Sequence, residues 1–272
     1  MVESSGKEKR AQPSLAEMYN IGFAGWAKSP TVRNVWRKVY REDYSEEVDP
    51  LSFVTMSDLR RIAKELRVSP GQTLVDLACG RGGPGLWVAR ESGAKLVGID
   101  CSRVAVEHAS QRAGVFGLAG RARFQVGDFN ATGFTAGSFD GAMSVDALWL
   151  APDKASAVRE VARILRSGAR FVFTTWDVDA APAFWLPQLN DHRPVLREAG
   201  FIVDSYEETP DWQSRQRAVY EGLRQEEAQV IAEMGEAAAG VLLAEANLLP
   251  GLTDGTDYLA CMQRILVVAR RA

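Results

Sequence analysis

Hydrophobic and polar positions follow two different rhythms along this chain. Up to about residue 69 the apolar residues recur at helical spacing and many are aromatic, as in SLAEMYNIGFAGWAKSP and TMSDLRRIAKELRV. From residue 70 onwards, short and continuously apolar runs alternate with amphipathic helical stretches. This alternation predicts buried parallel strands joined by helices that cover both faces of one sheet.

The predicted strands can be placed in order. Five of them are QTLVDLAC, AKLVGIDC, ARFQVGDF, FDGAMSVDA and ARFVFTTWD. A helix in LNDHRPVLREAG, a strand in FIVDSYEET, a helical insertion from roughly Asp211 to Asn247 and a closing strand in YLACMQRILVVARR follow. The fold class is therefore α/β, with a doubly wound, mostly parallel sheet of seven strands and a helical lid. We expect an N-terminal helical lid over 1–69, a ligand-binding core over 70–210, a helical lid insertion over 211–257 and a closing core strand over 258–272.

Composition and charge narrow the classes of function. With 272 residues and 46% hydrophobic content the chain can bury a large core, and its net charge of -3 disfavours nucleic acid as a partner. The three cysteines are far apart and form no disulfide framework or C-x-x-C spacing, which is typical of a reducing cytoplasm. Neither a signal peptide nor an apolar run that could span a bilayer is evident. We expect a cytoplasmic protein with no membrane partner, and a homodimer stays open.

The ends of the first three strands carry candidate ligand-binding residues. Gly80, Gly82 and Gly85 form a G-x-G-x-x-G after the first strand, a pattern that alone points to a dinucleotide. Asp76, just before this turn, would repel a pyrophosphate but suits a cationic ligand. Asp100 ends the second strand at the spacing where an acid accepts hydrogen bonds from a ribose diol. At the third strand end, VGDF places Asp128 beside Phe129, a pair suited to adenine.

These motifs resemble the class I S-adenosylmethionine-dependent methyltransferases, in their small-molecule, natural-product branch. The resemblance runs from about Leu74 to Trp176, through LVDLACGRGGPG, LVGIDCS, VGDF, SFDGAMSVDALWLAPD and EVARILRSGARFVFTTW. It implies a Rossmann-like sheet whose last strand is antiparallel, and S-adenosyl-L-methionine as the cofactor.

The resemblance also implies roles for individual residues. Ala78 stands where the family commonly has glycine, and its methyl group is tolerable provided that the backbone there is not at positive φ. The implied cofactor contacts are Asp76, Ala78 and Gly80 for the methionine part, Asp100 for the ribose, Asp128 and Phe129 for the adenine, and Ser144, which borders the methionine at the end of strand four. Cys101 is a further candidate cofactor contact.

Catalytic and substrate-binding residues are harder to select. His192 begins the helix after strand five, on the ligand side of the sheet, so it is a candidate general base; an exposed helix-start histidine is the alternative. Asp146 follows strand four and is a second catalytic candidate, with a structural or helix-capping role as its alternative. Tyr19, Trp149 and Trp176 are candidate substrate contacts, although each could instead pack in the core. We expect no metal, because no cluster of acids and asparagine follows strand four.

The predicted function is methyl transfer from S-adenosylmethionine to an O, N or nucleophilic C atom of a small aromatic or heteroaromatic metabolite, in secondary-metabolite biosynthesis. A second interpretation, an NAD-dependent oxidoreductase, rests only on the G-x-G-x-x-G motif. A non-catalytic S-adenosylmethionine-binding regulatory module is the third alternative.

Overall fold

The computed structural model describes residues 14–49, 52–182 and 185–272. Seven strands form a single sheet in the order β3-β2-β1-β4-β5-β7-β6. The strands are β1 (Thr73–Leu77), β2 (Lys95–Asp100), β3 (Ala122–Val126), β4 (Phe139–Val145), β5 (Leu165–Val178), β6 (Phe201–Glu208) and β7 (Met262–Arg271). Strand order reverses beside β1, so the carboxyl ends of β1, β2 and β4 border a crevice where doubly wound sheets bind ligands.

The last strand is the only antiparallel one among the described strands. β7 pairs antiparallel with β5, from Arg170 opposite Arg270 to Val178 opposite Met262, and it pairs antiparallel with β6 on its other side. β5 and β6 therefore do not touch each other, and β7 lies between them. The expected seven-stranded doubly wound sheet with an antiparallel last strand is confirmed.

Helices cover both faces of the sheet. Residues of α3 (Met56–Leu66) and α4 (Gly83–Ser92), with residues that directly follow α5 (Arg103–Arg112), bury their apolar side chains on one face. Those of α6 (Lys154–Ile164) and α7 (Arg193–Glu198) do so on the other face. Because successive side chains of a buried strand alternate between the faces, both faces are apolar, which explains the unbroken hydrophobic runs in the sequence.

The remaining helices form a lid over one end of the sheet. They are α1 (Leu15–Trp26), α2 (Pro30–Tyr40), α8 (Trp212–Gln225), α9 (Glu227–Met234) and α10 (Glu236–Leu248). The predicted insertion is thus three helices, and Gly235, at φ 82°, separates the last two. Residues 1–13 of the expected N-terminal lid lie outside the described residues.

Both halves of the lid are joined by polar and aromatic contacts. The Glu233 carboxylate of α9 accepts hydrogen bonds from the Ser29 hydroxyl at 2.6 Å and the Thr31 hydroxyl at 2.8 Å, at the start of α2. Beneath them lies a group of rings that we call the aromatic cluster: Trp26, Trp36, Phe53, Trp149, Trp176 and Tyr220. Its ring centroids are 5.0–6.0 Å apart, so the cluster forms one continuous apolar surface under the lid.

Candidate cofactor site

A crevice of about 1080 Å³, counted to its open mouth, lies where β1, β2 and β4 end. α1 and the segment before α3 cover it from the lid side. Nine of the predicted site residues line it: Tyr19, Asp76, Ala78, Gly80, Asp100, Cys101, Asp128, Phe129 and Asp146. The other four, Ser144, Trp149, Trp176 and His192, lie outside its wall.

The glycine turn brings backbone close to the crevice. Gly80 and Gly82 adopt φ values of 51° and 77°, which favour glycine. At Gly85 a Cβ atom would lie 2.3 Å from Asp76 Oδ2, so only glycine lets α4 pack against this carboxyl group. Ala78 is at φ 55°, so the condition under which its methyl group is tolerable, a backbone away from positive φ, is not met. Its methyl group is therefore held in a strained left-handed conformation.

Asp76 lies at the bottom of the crevice and is 2% exposed. Its Oδ2 has no hydrogen-bond partner among the described residues. Burial, and then the neighbouring Asp100 carboxylate, raise the pKa of Asp76 well above its ordinary value. A buried acceptor in this state fits a cationic donor such as an ammonium group, whose charge would offset both effects.

Asp100 is held in place by two backbone amides. The N–H of Gly80 donates to Oδ2 and the N–H of Ser102 donates to Oδ1, both at 2.8 Å. Each carboxylate oxygen keeps further acceptor capacity, which fits the two hydroxyls of a ribose. Cys101 beside it is half-buried, and burial followed by the Asp100 charge raises the pKa of its thiol to about 11. The thiol is thus neutral at physiological pH.

Asp128 and Phe129 form the rim of the crevice at the end of β3. The N–H of Asn130 donates to Asp128 Oδ1 at 2.8 Å and fixes the carboxyl group. Phe129 is partly buried and packs against the core beneath the sheet. A fixed acceptor beside an apolar ring fits the exocyclic amine and the face of an adenine.

Ser144 does not reach the crevice. It is fully buried, and its hydroxyl donates to the carbonyl of Leu77 at 3.0 Å, within the β1–β4 pair. The next residue on β4, Val145, lines the crevice instead. The expected contact between Ser144 and the methionine part is therefore wrong by one residue. Neighbouring side chains of a strand point to opposite faces, so Val145 faces the crevice and Ser144 does not.

Asp146 lines the crevice, but its carboxylate is fully occupied. Oδ1 accepts from Arg264 Nε at 2.9 Å and from the Thr174 hydroxyl at 2.7 Å, and Oδ2 accepts from Arg264 Nη2 at 3.2 Å and from the Phe53 N–H at 2.9 Å. Arg264 is itself fully buried and also donates to Asp58 at 2.9 Å. This arrangement corrects the catalytic assignment: Asp146 joins β4, β7 and the lid segment at Phe53.

His192 lies in the protein interior. It is 0% exposed, and its Nδ1 is 2.7 Å from Asp177 Oδ1. The Tyr206 hydroxyl accepts the His192 N–H at 2.9 Å and donates to Asp177 Oδ2 at 2.6 Å. Since the ring is buried between β5 and β6 and does not line the crevice, the expected general base or substrate ligand is corrected to a packed core histidine.

The predicted substrate contacts lie in two places. Tyr19 of α1 lines the crevice, and burial followed by the Glu245 and Asp100 charges raises the pKa of its phenol. Trp149 and Trp176 belong to the adjoining aromatic cluster, with ring centroids 5.7 Å apart. Residues 150 and 52, next to members of the cluster, do line the crevice, so the two regions are neighbours.

Two charged residues that line the crevice, Asp49 and Arg81, were not predicted by the sequence analysis. Arg81 lies inside the glycine motif, so its position carried a signal, whereas Asp49 has none, because it follows an irregular stretch after α2. Arg81 Nη1 pairs with Asp49 Oδ2 at 2.9 Å. Lid and glycine turn are thus joined by an ion pair at the crevice wall.

Within the described ranges no group of three or more His, Cys, Asp or Glu side chains could hold a metal ion. No helix in the described part of the chain has the length and apolar character to cross a membrane.

Part of the chain is similar to known proteins. A model described as "Methyltransferase domain" matches residues 75–173. Methyltransferase GfsG of Streptomyces halstedii is 33% identical over 123 residues, which cover 45% of this chain and 44% of that protein. 27-O-demethylrifamycin SV methyltransferase of Amycolatopsis mediterranei is 27% identical over 233 residues, 78% of this chain and 85% of that protein. The chain thus spans under half the length of some curated relatives and most of others.

Solved structures agree on the fold. The crystal structure of the [4+2]-cyclase SpnF matches with a TM-score of 0.69 at 23% identity, over 94% of both chains. The domain match covers β1 to β5, the region that holds the glycine turn and the strand ends described above. Residues 75–173 of the chain therefore match a methyltransferase domain, and the fold of the chain is that of the solved structure.

Proposed function

We propose that this chain transfers the methyl group of S-adenosylmethionine to a nitrogen, oxygen or nucleophilic carbon atom of a small aromatic or heteroaromatic metabolite. The observation that carries the proposal is the convergence of Asp76, Asp100 and Asp128 on one crevice that an aromatic lid covers. The relatives named above act, by their names, as methyltransferases, one of them on 27-O-demethylrifamycin SV. Secondary-metabolite biosynthesis in the cytoplasm is the setting that we propose.

Each strand-end residue has a proposed partner on the cofactor. Asp76 would hold the ammonium group, since its free buried oxygen favours a cation. Asp100, fixed by two amides, would hold the ribose hydroxyls, with Cys101 alongside. Asp128 and Phe129 would hold the adenine at the rim. When bound there, the cofactor supplies an electrophilic methyl group.

The substrate is proposed to lie between the crevice and the aromatic cluster. Tyr19 reaches the crevice from α1, and the rings of Trp149 and Trp176 follow beyond residue 150. A wall of aromatic side chains favours an apolar or aromatic acceptor and excludes water from the reacting atoms. Aromatic faces also accommodate positive charge without the strong ground-state attraction of a carboxylate.

Catalysis is proposed to come from positioning. Asp146 and Asp49 are engaged with Arg264 and Arg81, and the raised pKa of Tyr19 keeps its phenol protonated at neutral pH. The other carboxyl groups of the described crevice wall, those of Asp76, Asp100 and Asp128, are proposed above to hold the cofactor. Acceptors whose nucleophilic atom attacks without first losing a proton, such as an unprotonated heteroaromatic nitrogen or an electron-rich ring carbon, therefore fit better than an alcohol.

The fold alone leaves the reaction open, because one structural neighbour is named a [4+2]-cyclase. The test is a screen of electron-rich aromatic and heteroaromatic compounds with methyl-labelled S-adenosylmethionine, followed by NMR location of the methyl group. We expect label in at least one acceptor, abolished in Asp100→Asn and retained in Asp179→Asn, an exposed acid outside the crevice. Cofactor binding without transfer to any acceptor would favour a regulatory or cyclase role. Binding of NAD in place of S-adenosylmethionine would favour the oxidoreductase.

A further inference from the structure

The lid helix α1 is held unevenly along its length. Its buried residues are Phe23, Gly25 and Trp26, all in the last turn. A Cβ atom on Gly25 would lie 2.4 Å from the Cβ atom of Ala238, so this end of the helix packs closely on α10. Each residue of 15–21, which we call the gate segment, is half-buried or exposed. A segment with few buried contacts opens at a lower free energy than the core.

The gate segment covers part of the crevice. Leu15 and Tyr19 belong to its wall, on the side opposite the sheet. The charge of Asp100 is among those that, after burial and the Glu245 charge, raise the pKa of Tyr19, so this ring lies near the end of β2. A ligand whose ribose is held by Asp100 would therefore lie beneath the gate segment.

One side chain fastens the gate segment to the core. Asn20 Oδ1 accepts hydrogen bonds from the Ser102 hydroxyl at 2.7 Å and from the Val104 N–H at 3.3 Å, at the start of α5. The first N–H groups of a helix lack partners within it, and Asn20 satisfies one of them from another element. Ser102 is fully buried, and its own N–H donates to Asp100 Oδ1 at 2.8 Å. The same residue thus orients the Asp100 carboxylate and holds the gate segment.

Gly22 separates this fastened segment from the anchored last turn. Apart from the backbone of α1 and the adjoining residues, no heavy atom of the described chain lies within 4 Å of the place where a Cβ atom on Gly22 would stand. Packing therefore does not require glycine at this position, in contrast to Gly25. Glycine in a helix interior weakens the helix locally relative to alanine.

We propose that the gate segment opens and closes over the cofactor, with Asn20 as its latch and Gly22 as its hinge. In opening, the two hydrogen bonds of Asn20 to α5 break and the helix bends at Gly22, while the last turn stays on α10. The inference rests on the proposed function, because it requires the cofactor beneath the segment.

The device has a kinetic signature. A ligand enters and leaves only while the gate segment is open, and Asn20 does not line the crevice. A variant that changes the stability of the closed segment equally in the free and the bound protein therefore changes kon and koff by the same factor. The Kd, which is their ratio, stays the same.

The test measures association and dissociation of S-adenosylhomocysteine by stopped-flow tryptophan fluorescence, and the Kd by calorimetry. Asn20→Ala removes both hydrogen bonds of the latch, so we expect kon and koff to rise together about 5- to 20-fold, with the Kd within about twofold. Gly22→Ala should act in the opposite direction. Alanine favours the unbent helix, so both rates should fall about 3- to 5-fold at an unchanged Kd.

Each variant has a matched control within the lid. Gly240 lies in α10 and also has open space at its Cβ position, so Gly240→Ala makes the same substitution in a different helix. Thr31→Val removes a hydrogen bond to Glu233 that does not reach the core. In both controls the two rates should stay within about twofold of those of the unmodified chain. Gly22→Ala keeps the test decisive should Asn20→Ala fail to fold, because it strengthens α1.

Several results would overturn the proposal. A rise of koff alone in Asn20→Ala, with a matching loss of affinity, would show that Asn20 stabilises only the bound state. Unchanged rates in Gly22→Ala, or an equal slowing by Gly240→Ala, would show that Gly22 is not the hinge. In each case the cofactor assignment would stand. Failure of the unmodified chain to bind S-adenosylhomocysteine would refute the cofactor assignment together with the inference.

Discussion

Replacing Asp146 by asparagine should destabilise the protein strongly, because one carboxylate joins three parts of the fold. It accepts four hydrogen bonds, two from Arg264, one from Thr174 and one from the Phe53 backbone. An asparagine amide presents N–H donors to groups that are themselves donors. At least one contact then becomes repulsive, and the buried Arg264 loses half of its compensating charge.

The magnitude follows from burial. Arg264 is 0% exposed and Asp146 is 8% exposed. Removing one partner of a buried ion pair costs about 3–5 kcal/mol. Because Asp58 still accepts from Arg264 Nη1 at 2.9 Å, we expect the lower end, about 3 kcal/mol, in the free energy of unfolding. Thr174→Val removes a neutral hydroxyl from the same network and should cost only about 1 kcal/mol.

The change in the free energy of unfolding is measured by urea titration. Tryptophan fluorescence and far-UV circular dichroism monitor the unfolding, and the two transitions should coincide. A loss of about 3 kcal/mol lowers the midpoint by roughly 1 M urea for a slope near 3 kcal/mol per molar. The reasoning would be refuted by an Asp146→Asn midpoint within about 0.3 M of the unmodified chain, or by a Thr174→Val effect of equal size. Either result would return Asp146 to the list of candidate bases.

Three further predictions concern other residues of the site and core. Ala78→Gly should raise the free energy of unfolding by up to about 1 kcal/mol in the same assay. Glycine relieves the strain of the left-handed backbone, and this gain exceeds the extra conformational entropy that glycine gives the unfolded chain. A clear loss of stability would show that Ala78 is not strained. The affinity for S-adenosylhomocysteine should fall as pH is lowered from 8 towards 5, because the raised pKa of Asp76 lets a proton compete with the ligand's ammonium group; calorimetry on Asp76→Asn should show weaker binding without this slope. His192→Ala should lose about 3 kcal/mol of stability yet keep its S-adenosylhomocysteine affinity within about twofold, and a selective loss of binding would place His192 at the site after all.

The sequence predicted the sheet and most of the acidic residues that line the crevice, because both follow from local rules. Continuous apolar runs mark buried strands, and the crossover rule then puts their carboxyl ends on one edge, where Asp76, Asp100 and Asp128 indeed line the crevice. The left-handed backbone of Ala78 could not be inferred from residue type, because it is set by the turn that places Cys79 and Gly80 against β2.

The catalytic candidates failed for a different reason. The side chain of a polar residue at a strand end can face either the ligand crevice or the protein interior. Which direction it takes depends on whether the interior offers a hydrogen-bond partner. For Asp146 that partner is Arg264 on the last strand, and for His192 it is Asp177 with Tyr206 on β6. These partners are remote along the chain, so no local pattern announces them. The same holds for Asp49, which meets Arg81 only after the lid has folded over the core.

The position of β7 has a consequence for how the polypeptide reaches its native state. β5 is 14 residues long and β6 has 8. Neither strand can complete its hydrogen bonds until β7, which is synthesised after α8, α9 and α10, inserts between them. Pairing between strands that are far apart in the sequence slows folding. Until β7 is made, the backbone N–H and C=O groups along one edge of β5 have no partner strand. A chain truncated before Met262 would therefore expose an unpaired edge of β5 and tend to self-associate, even if β1 to β4 had folded correctly.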